Sequence, residues 1–237
     1  MLVKTKGVVL NYIKFRESSI ITKIYTEQLG VQSYIVNSVR KKGNGSRIAL
    51  FQPFTLLDMV VYSSPRGGIQ RISEYKTAYP FATIPFDIRK SSILLFLSEM
   101  VTRTVKEEEE NPTLFAFLYN SMISFDQQVQ HFENFHLEFL LELTQHLGFG
   151  PGSGTEIIEQ VAFSANTQAA TSAPPVLALH AYETYFDGLL RPGVANETIP
   201  NGKIRREMLS ILIRYYQLHV DKLGEIKSLA ILSEVLS

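Results

Sequence analysis

Alternation of apolar and polar positions dominates the first third of the chain. The segments "KGVVLNYI", "SIITKIYT", "VQSYIVNS", "FTLLDMVVYS" and "IQRISEYKTA" are rich in β-branched and aromatic residues and are separated by turn formers, so they predict five strands within residues 1–80. Leu29-Gly30 closes the second strand onto the third, and Pro65, Gly67 and Gly68 make a hairpin between the fourth and fifth. Five short strands cannot bury two faces as an open sheet, and free edges invite aggregation. Closure into a small OB-like barrel is expected. In the second strand Ile20, Thr22 and Ile24 share one face, and Ile21, Lys23 and Tyr25 the other. Lys23 beside Tyr25 suits a nucleic-acid surface, but half-buried packing explains Tyr25 equally well.

After "YPFATIPF", where Pro80 and Pro85 interrupt regular structure, the period becomes helical. The spacing therefore predicts an α+β chain, with a five-stranded OB-like barrel over 1–80 and an all-helical domain over 81–237. Ile93, Leu94, Leu97, Met100 and Val101 mark a first helix that dissolves in "KEEEENP". Asn111 and Pro112 start a second, as N-cap and first-turn proline. "FENFHLEFLLELTQHLGF" places Phe132, Phe135, Phe139, Leu140 and Leu143 on one stripe and stops at Gly148. Residues 150–175 are small, polar and Pro-terminated, which predicts a soft insert with little fixed structure. "IRREMLSILIRYYQLHV" and "KSLAILSEVL" supply the last helices.

Composition narrows the choice of function. The 237 residues and 45% apolar content suit two folded domains. The absence of cysteine excludes disulfides and thiolate metal sites and fits a reducing compartment. The opening "MLVKTKGVVLNYIK" is too short and too charged for a signal peptide or membrane span, so a soluble cytoplasmic protein with no membrane partner is expected.

Charge is balanced overall, 23 basic against 23 acidic residues, but it is segregated. Residues 1–80 hold seven Lys and five Arg against Glu17, Glu27, Asp58 and Glu74, an excess of eight positive charges that the remainder of the chain reverses. The segregation suggests a polyanion partner for the first part; a need for solubility would explain the amount of charge but not its division. The stretch "VRKKGNGSR" gathers Arg40, Lys41, Lys42 and Arg47 around Gly43 and Gly45, as a loop that follows phosphates would. A solvated, partnerless turn is the alternative for that loop taken alone. Lys14, Arg16 and Lys23 on or beside the first strands, and Arg66 and Arg71 near the last hairpin, favour binding.

Catalytic chemistry is sparse. His131, His136, His146, His180 and His219 form no H-E-x-x-H pair or compact ligand set, and no Ser sits in a G-x-S-x-G elbow. "GFGPGSG" follows a helix and lacks the G-K-[ST] ending of a phosphate loop, so it reads as a helix stop leading into a linker. No catalytic residue, metal or cofactor is assigned, and a binding protein is expected rather than an enzyme.

"KGVVLNYIKFRESSIITKIYTEQLG" resembles the N-terminal signature of the RecO family of bacterial recombination mediators and DNA repair proteins. "VRKKGNGSR", "LFQPFTLLDMVVY", "RGGIQRISE" and "HLGFGP" continue the likeness. The resemblance implies an OB barrel joined to a helical domain, without enzymatic turnover, in a cytoplasmic, nucleoid-associated protein. It implies binding of single- and double-stranded DNA and annealing of complementary strands coated by the single-stranded DNA-binding protein. Contact with that protein's acidic C-terminal tail, and loading of recombinase together with RecR, are implied as well. The family's DNA-binding loop falls on Arg40, Lys41, Lys42 and Arg47; Lys14, Arg16, Lys23, Arg66 and Arg71 are added on physical grounds. Arg205, Arg206 or Arg214, near an apolar helix face, is the candidate for tail capture. Many family members carry a four-cysteine zinc module after G-F-G-P, where this chain has residues 150–175, so zinc is not expected. A protein-interaction scaffold or an RNA-binding OB-fold protein is the alternative reading.

Overall fold

Strand β1 (Leu2–Phe15) belongs to two pairings at once. Its first half runs antiparallel to β4 (Leu56–Tyr62) and its second half antiparallel to β2 (Ser19–Thr26), with an irregularity between Val9 and Asn11 where it bends. Gly7 sits in the overlap, opposite both Thr26 and Leu57. A Cβ there would stand 2.5 Å from Met59 Cε and 2.7 Å from Ile24 Cγ2, so the interior has no room for a side chain. Adding β3 (Gly30–Val36) and β5 (Gln70–Thr77) gives a closed barrel of order β1-β2-β3-β5-β4, antiparallel except between β3 and β5. The computed structural model describes residues 1–40, 47–64, 67–106, 109–167, 179–191 and 199–236, with the backbone alone at 165–167.

The barrel interior is filled by alternate residues of all five strands, among them Val9, Ile20, Ile24, Tyr34, Val36, Leu57, Met59 and Val61. Phe51, at the end of a short 3₁₀ turn (Arg47–Phe51), joins the same core and meets Tyr75 edge-on at 5.0 Å. Val39 is buried there too. The basic loop is therefore anchored on both sides by apolar side chains. At the other turns, Gly30, Gly67 and Gly68 adopt positive φ, the backbone that reverses β2 into β3 and β4 into β5.

Helices α1 (Ile88–Thr104) and α2 (Pro112–Gln127) start at designed caps. Asp87 accepts the amides of Arg89 and Lys90, and Asn111 accepts that of Leu114 with Pro112 in the first turn. Both helices cover part of the barrel's outer wall. Ser98 Oγ donates to the Leu10 carbonyl, Asn11 Nδ2 donates to Thr102 Oγ1 at 3.4 Å, and Phe115 meets Tyr25 at 6.2 Å between ring centroids. Tyr25 is fully buried under α2, so it is not available to a nucleic acid. The compact unit that contains the barrel accordingly runs from Met1 to Val129, past the proline-marked stretch where the sequence changes period.

A polar clasp ties that stretch to the end of α2. The Asp126 carboxylate accepts the amides of Ala82, Thr83 and Ile84 at 2.8–3.0 Å. Lys90, only 2% exposed, donates to Thr83 Oγ1 and to the carbonyls of Phe125, Asp126 and Gln128. An ammonium at a helix C-terminus meets unsatisfied carbonyls there, which suits both the dipole and the backbone.

The second unit, Gln130–Ser237, holds α3 (Phe135–His146), α4 (Gly154–Thr167), α5 (Glu183–Leu190), α6 (Gly202–His219) and α7 (Ser228–Val235). Helix α3 ends as its glycine predicts: Gly148 has φ 83°, its amide donates to the Gln145 carbonyl, and Phe149 donates to Thr144. The soft insert predicted over 150–175 is corrected over much of its length, because residues 154–167 form α4, with Ile157, Ile158 and Val161 buried. Its apolar spacing is helical but lies between small residues that conceal it. The glycines are packing devices: the Gly154 amide donates to Asp187 at 2.7 Å, and a Cβ on Gly154 would lie 2.2 Å from the Glu183 carbonyl oxygen. Residues 168–175 lie outside the described residues.

Candidate nucleic-acid interface

The β1–β2 turn and the base of the basic loop are joined. Arg40 donates its amide to the Ser18 carbonyl and its Nη1 to the Arg16 carbonyl, each at 3.2 Å. Arg16 takes a positive φ of 51° in that turn, and its guanidinium lies 5.1 Å from the Phe15 ring centre. Arg47 is exposed at the first position of the turn whose last residue is the core Phe51. Two turns far apart in sequence thus present Arg16 and Arg40 side by side. Lys41, Lys42 and Arg66 lie outside the described residues.

The strand cations divide between two faces. Lys14 pairs with Ile20, which points into the barrel, and emerges exposed near the strand's end. Lys23 lies on the outer face with Asn11 and Ser33 as its cross-strand neighbours, and Arg71 lies on that same face beside Ile35. Both are exposed. Among the described residues no carboxylate forms an ion pair with Lys14, Arg16, Lys23, Arg40, Arg47 or Arg71, whereas Lys76 pairs with Asp58 at 3.7 Å. Their charge is available to an external anion.

A groove of about 810 Å³ crosses the ends of β2 and β3 against the β4–β5 hairpin. Lys23, Gln32, Gly68 and Ile69 line one part of it, and Lys106 with Glu109 and Glu110 another. Its charge is therefore mixed. The groove joins residues that no local motif connects, which is why the sequence does not announce it.

In the second unit the three candidate arginines separate. Arg214 rims an apolar cleft of about 300 Å³ floored by Val161, Leu179 and Ile211. Tyr182 and Glu207 line the same cleft and are hydrogen-bonded at 2.6 Å; burial and that carboxylate push the phenol up to about 12. Arg205 instead donates to Asn134 at 3.0 Å. With Arg206 and His136 it borders a gap of only about 10 Å³, too small for a peptide side chain. Burial, reinforced by the Arg205 charge, holds His136 down to about 3 and therefore neutral. Among the described residues no group of His, Asp and Glu is arranged to hold a metal ion, and no helix is long and apolar enough to cross a membrane. The glycine-rich "GFGPGSG" presents amides already taken by carboxylates, Gly152 by Glu156 and Gly154 by Asp187.

A closed five-stranded barrel in this strand order, with cationic turns at one end and a helical second part, defines an OB-type barrel protein. Family models for the recombination protein O N terminal and C terminal match residues 1–81 and 85–230. The chain is 35% identical over its whole length to the DNA repair protein RecO of Flavobacterium psychrophilum, itself covered in full, and 36% identical to that of Flavobacterium johnsoniae, with both chains again covered in full. The Bacteroides fragilis protein of the same name is 34% identical, with 99% of each chain covered. The chain belongs to the RecO family of DNA repair proteins.

Proposed function

We propose that this chain is a non-enzymatic recombination mediator. It binds single- and double-stranded DNA, anneals complementary strands coated by the single-stranded DNA-binding protein, and helps load recombinase together with RecR. The observation that carries the reading is the bond from the Arg40 guanidinium to the Arg16 carbonyl, which joins two arginine-bearing turns on an OB barrel, neither arginine being in an ion pair among the described residues. The interface comprises Arg40, Lys41, Lys42 and Arg47 in the loop, with Lys14, Arg16, Lys23, Arg66 and Arg71 around it. Two DNA strands repel along their lengths, and a cationic surface that holds both lowers this cost without occupying base edges. Annealing then requires no nucleotide hydrolysis.

The test is the annealing rate of complementary oligonucleotides precoated with the cognate single-stranded DNA-binding protein. Addition of this chain accelerates pairing under the proposal; unchanged rates, with no gel shift on any nucleic acid, favour a protein scaffold instead.

Tail capture is assigned to the Arg214 cleft, because its apolar floor suits a hydrophobic peptide end and Arg214 offers a cation to an acidic one, while the Glu207 carboxylate in the same cleft is engaged by the Tyr182 hydroxyl. Losing one charge-assisted contact costs about 1.4 kcal/mol, or tenfold in affinity. Arg214→Ala is therefore expected to weaken a synthetic tail peptide about tenfold in calorimetry, while Arg206→Ala leaves it unchanged. The reverse pattern moves the site to the other arginines.

A further inference from the structure

The outer wall of the barrel is only partly covered by α1 and α2. At one end Tyr25 and its cross-strand partner Val31 are buried, with Phe115 over the tyrosine ring. Two positions further along, Asn11, Lys23 and Ser33 form a polar row, with Asn11 bonded to Thr102 of α1. Two positions beyond that, the register places Ile13 opposite Ile21, Ile21 opposite Ile35, and Ile35 opposite Arg71. The inward residues between them, Thr22 and Tyr34, are fully buried, which fixes the isoleucines on the outside. Ile13 is 61% exposed, and Ile21 and Ile35 are half-buried. Four strands at ~4.8 Å spacing make this row roughly 14 Å long.

Three aliphatic side chains in line on an open sheet face need an explanation. Cations surround them: Lys23 lies one row above, Arg71 ends the row, and Arg16 lies in the turn three residues beyond Ile13. A purely apolar partner would leave those charges unanswered. A duplex would answer the charges but not the isoleucines, because its bases are stacked on one another and show only their edges in the grooves. A single strand satisfies both, with phosphates on the cations and unstacked bases laid on the apolar row.

We propose that Ile13, Ile21 and Ile35 form a base-contacting platform, so that this face selects unpaired over paired DNA without reading sequence. The platform rests on the DNA-binding reading above and adds to it the element that separates the two substrates. Apolar contact is indifferent to base identity because every base has a flat face, and aliphatic side chains hold it less tightly than aromatic rings would. A strand held this way can be released when its bases find a complement.

The experiment compares binding of an unstructured single-stranded oligonucleotide and a duplex at matched salt. Combined Ile13→Ser, Ile21→Thr and Ile35→Thr substitutions retain strand-compatible residues at the two half-buried positions. They are expected to reduce single-strand affinity about tenfold, leave duplex affinity within about twofold, and preserve the salt slope. Ile13→Tyr, at the exposed end, supplies an aromatic face and is expected to raise single-strand affinity about threefold to tenfold. That gain does not arise from misfolding, so it decides the matter should the triple variant unfold. Equal losses on both substrates, or no change in either variant, overturn the platform while leaving DNA binding intact. Wild-type protein that binds neither substrate overturns the function on which the platform rests.

Discussion

Raising the salt concentration from 50 to 200 mM is expected to weaken binding of this chain to DNA by about 10³ to 10⁵, if six to ten phosphates are engaged. The expectation follows from counterion release, in which each phosphate neutralised by a lysine or arginine frees a condensed cation. The first 80 residues carry the excess of eight positive charges required. Replacing Arg40, Lys41 and Lys42 together with alanine should lower single-strand affinity and reduce the logarithmic salt slope by roughly 2, at ~0.7 per phosphate. In the proposed interface the Arg40 substitution would act twice, because its guanidinium also holds the Arg16 carbonyl and hence the neighbouring turn. Isotherms that superimpose with wild type at several salt concentrations would remove this loop from the interface.

The Asp126 clasp sets the second large expectation. Asp126→Ala leaves the amides of Ala82, Thr83 and Ile84 without their acceptor and removes a carboxylate whose charge favours the ammonium of the buried Lys90. Loss of one member of such a buried, charged network costs about 3 to 5 kcal/mol. For a chain of this size each kcal/mol lowers Tm by roughly 2–4 °C, so a fall of about 6–20 °C is expected by circular dichroism. Burial alone would raise the Asp126 carboxyl, but the amides of Ala82, Ile84 and Thr83 and the Thr83 hydroxyl outweigh it and hold the group below its ordinary range. Its stabilisation is thus complete above the unfolded carboxylate value of about 3.9, and is lost as pH falls through the lower folded value. The gap between wild type and variant should be constant from pH 5 to 8 and narrow below about 4. A variant melting within about 2 °C of wild type at neutral pH would show the clasp to be dispensable.

The strands were legible because half-buried β-structure writes its period directly into the sequence, and "SIITKIYT" coincides with β2 residue for residue. Barrel closure was legible indirectly, from the shortage of area in five strands. The role of Tyr25 was not, since strand alternation states only that it faces outward; whether α2 or solvent lies there depends on Phe115, ninety residues away. Helix α4 was obscured for a related reason: Ile157, Ile158 and Val161 are few among glycines, serines and alanines, and their helical spacing gains meaning only against α5 and α6. The candidate site was half visible. Charge density marked the loop, but the joining of Arg40 to Arg16 and the row from Ile13 to Arg71 are products of register, which composition does not encode.

Val39 and Phe51 both reach the barrel interior, so the segment between them is held at each end by the core. Closing such a segment costs only about 0.6 kcal/mol for each doubling of its length. The position is therefore a natural port for a reporter: a fluorophore-bearing cysteine, or a short peptide tag, can be introduced there while the β-framework keeps its shape.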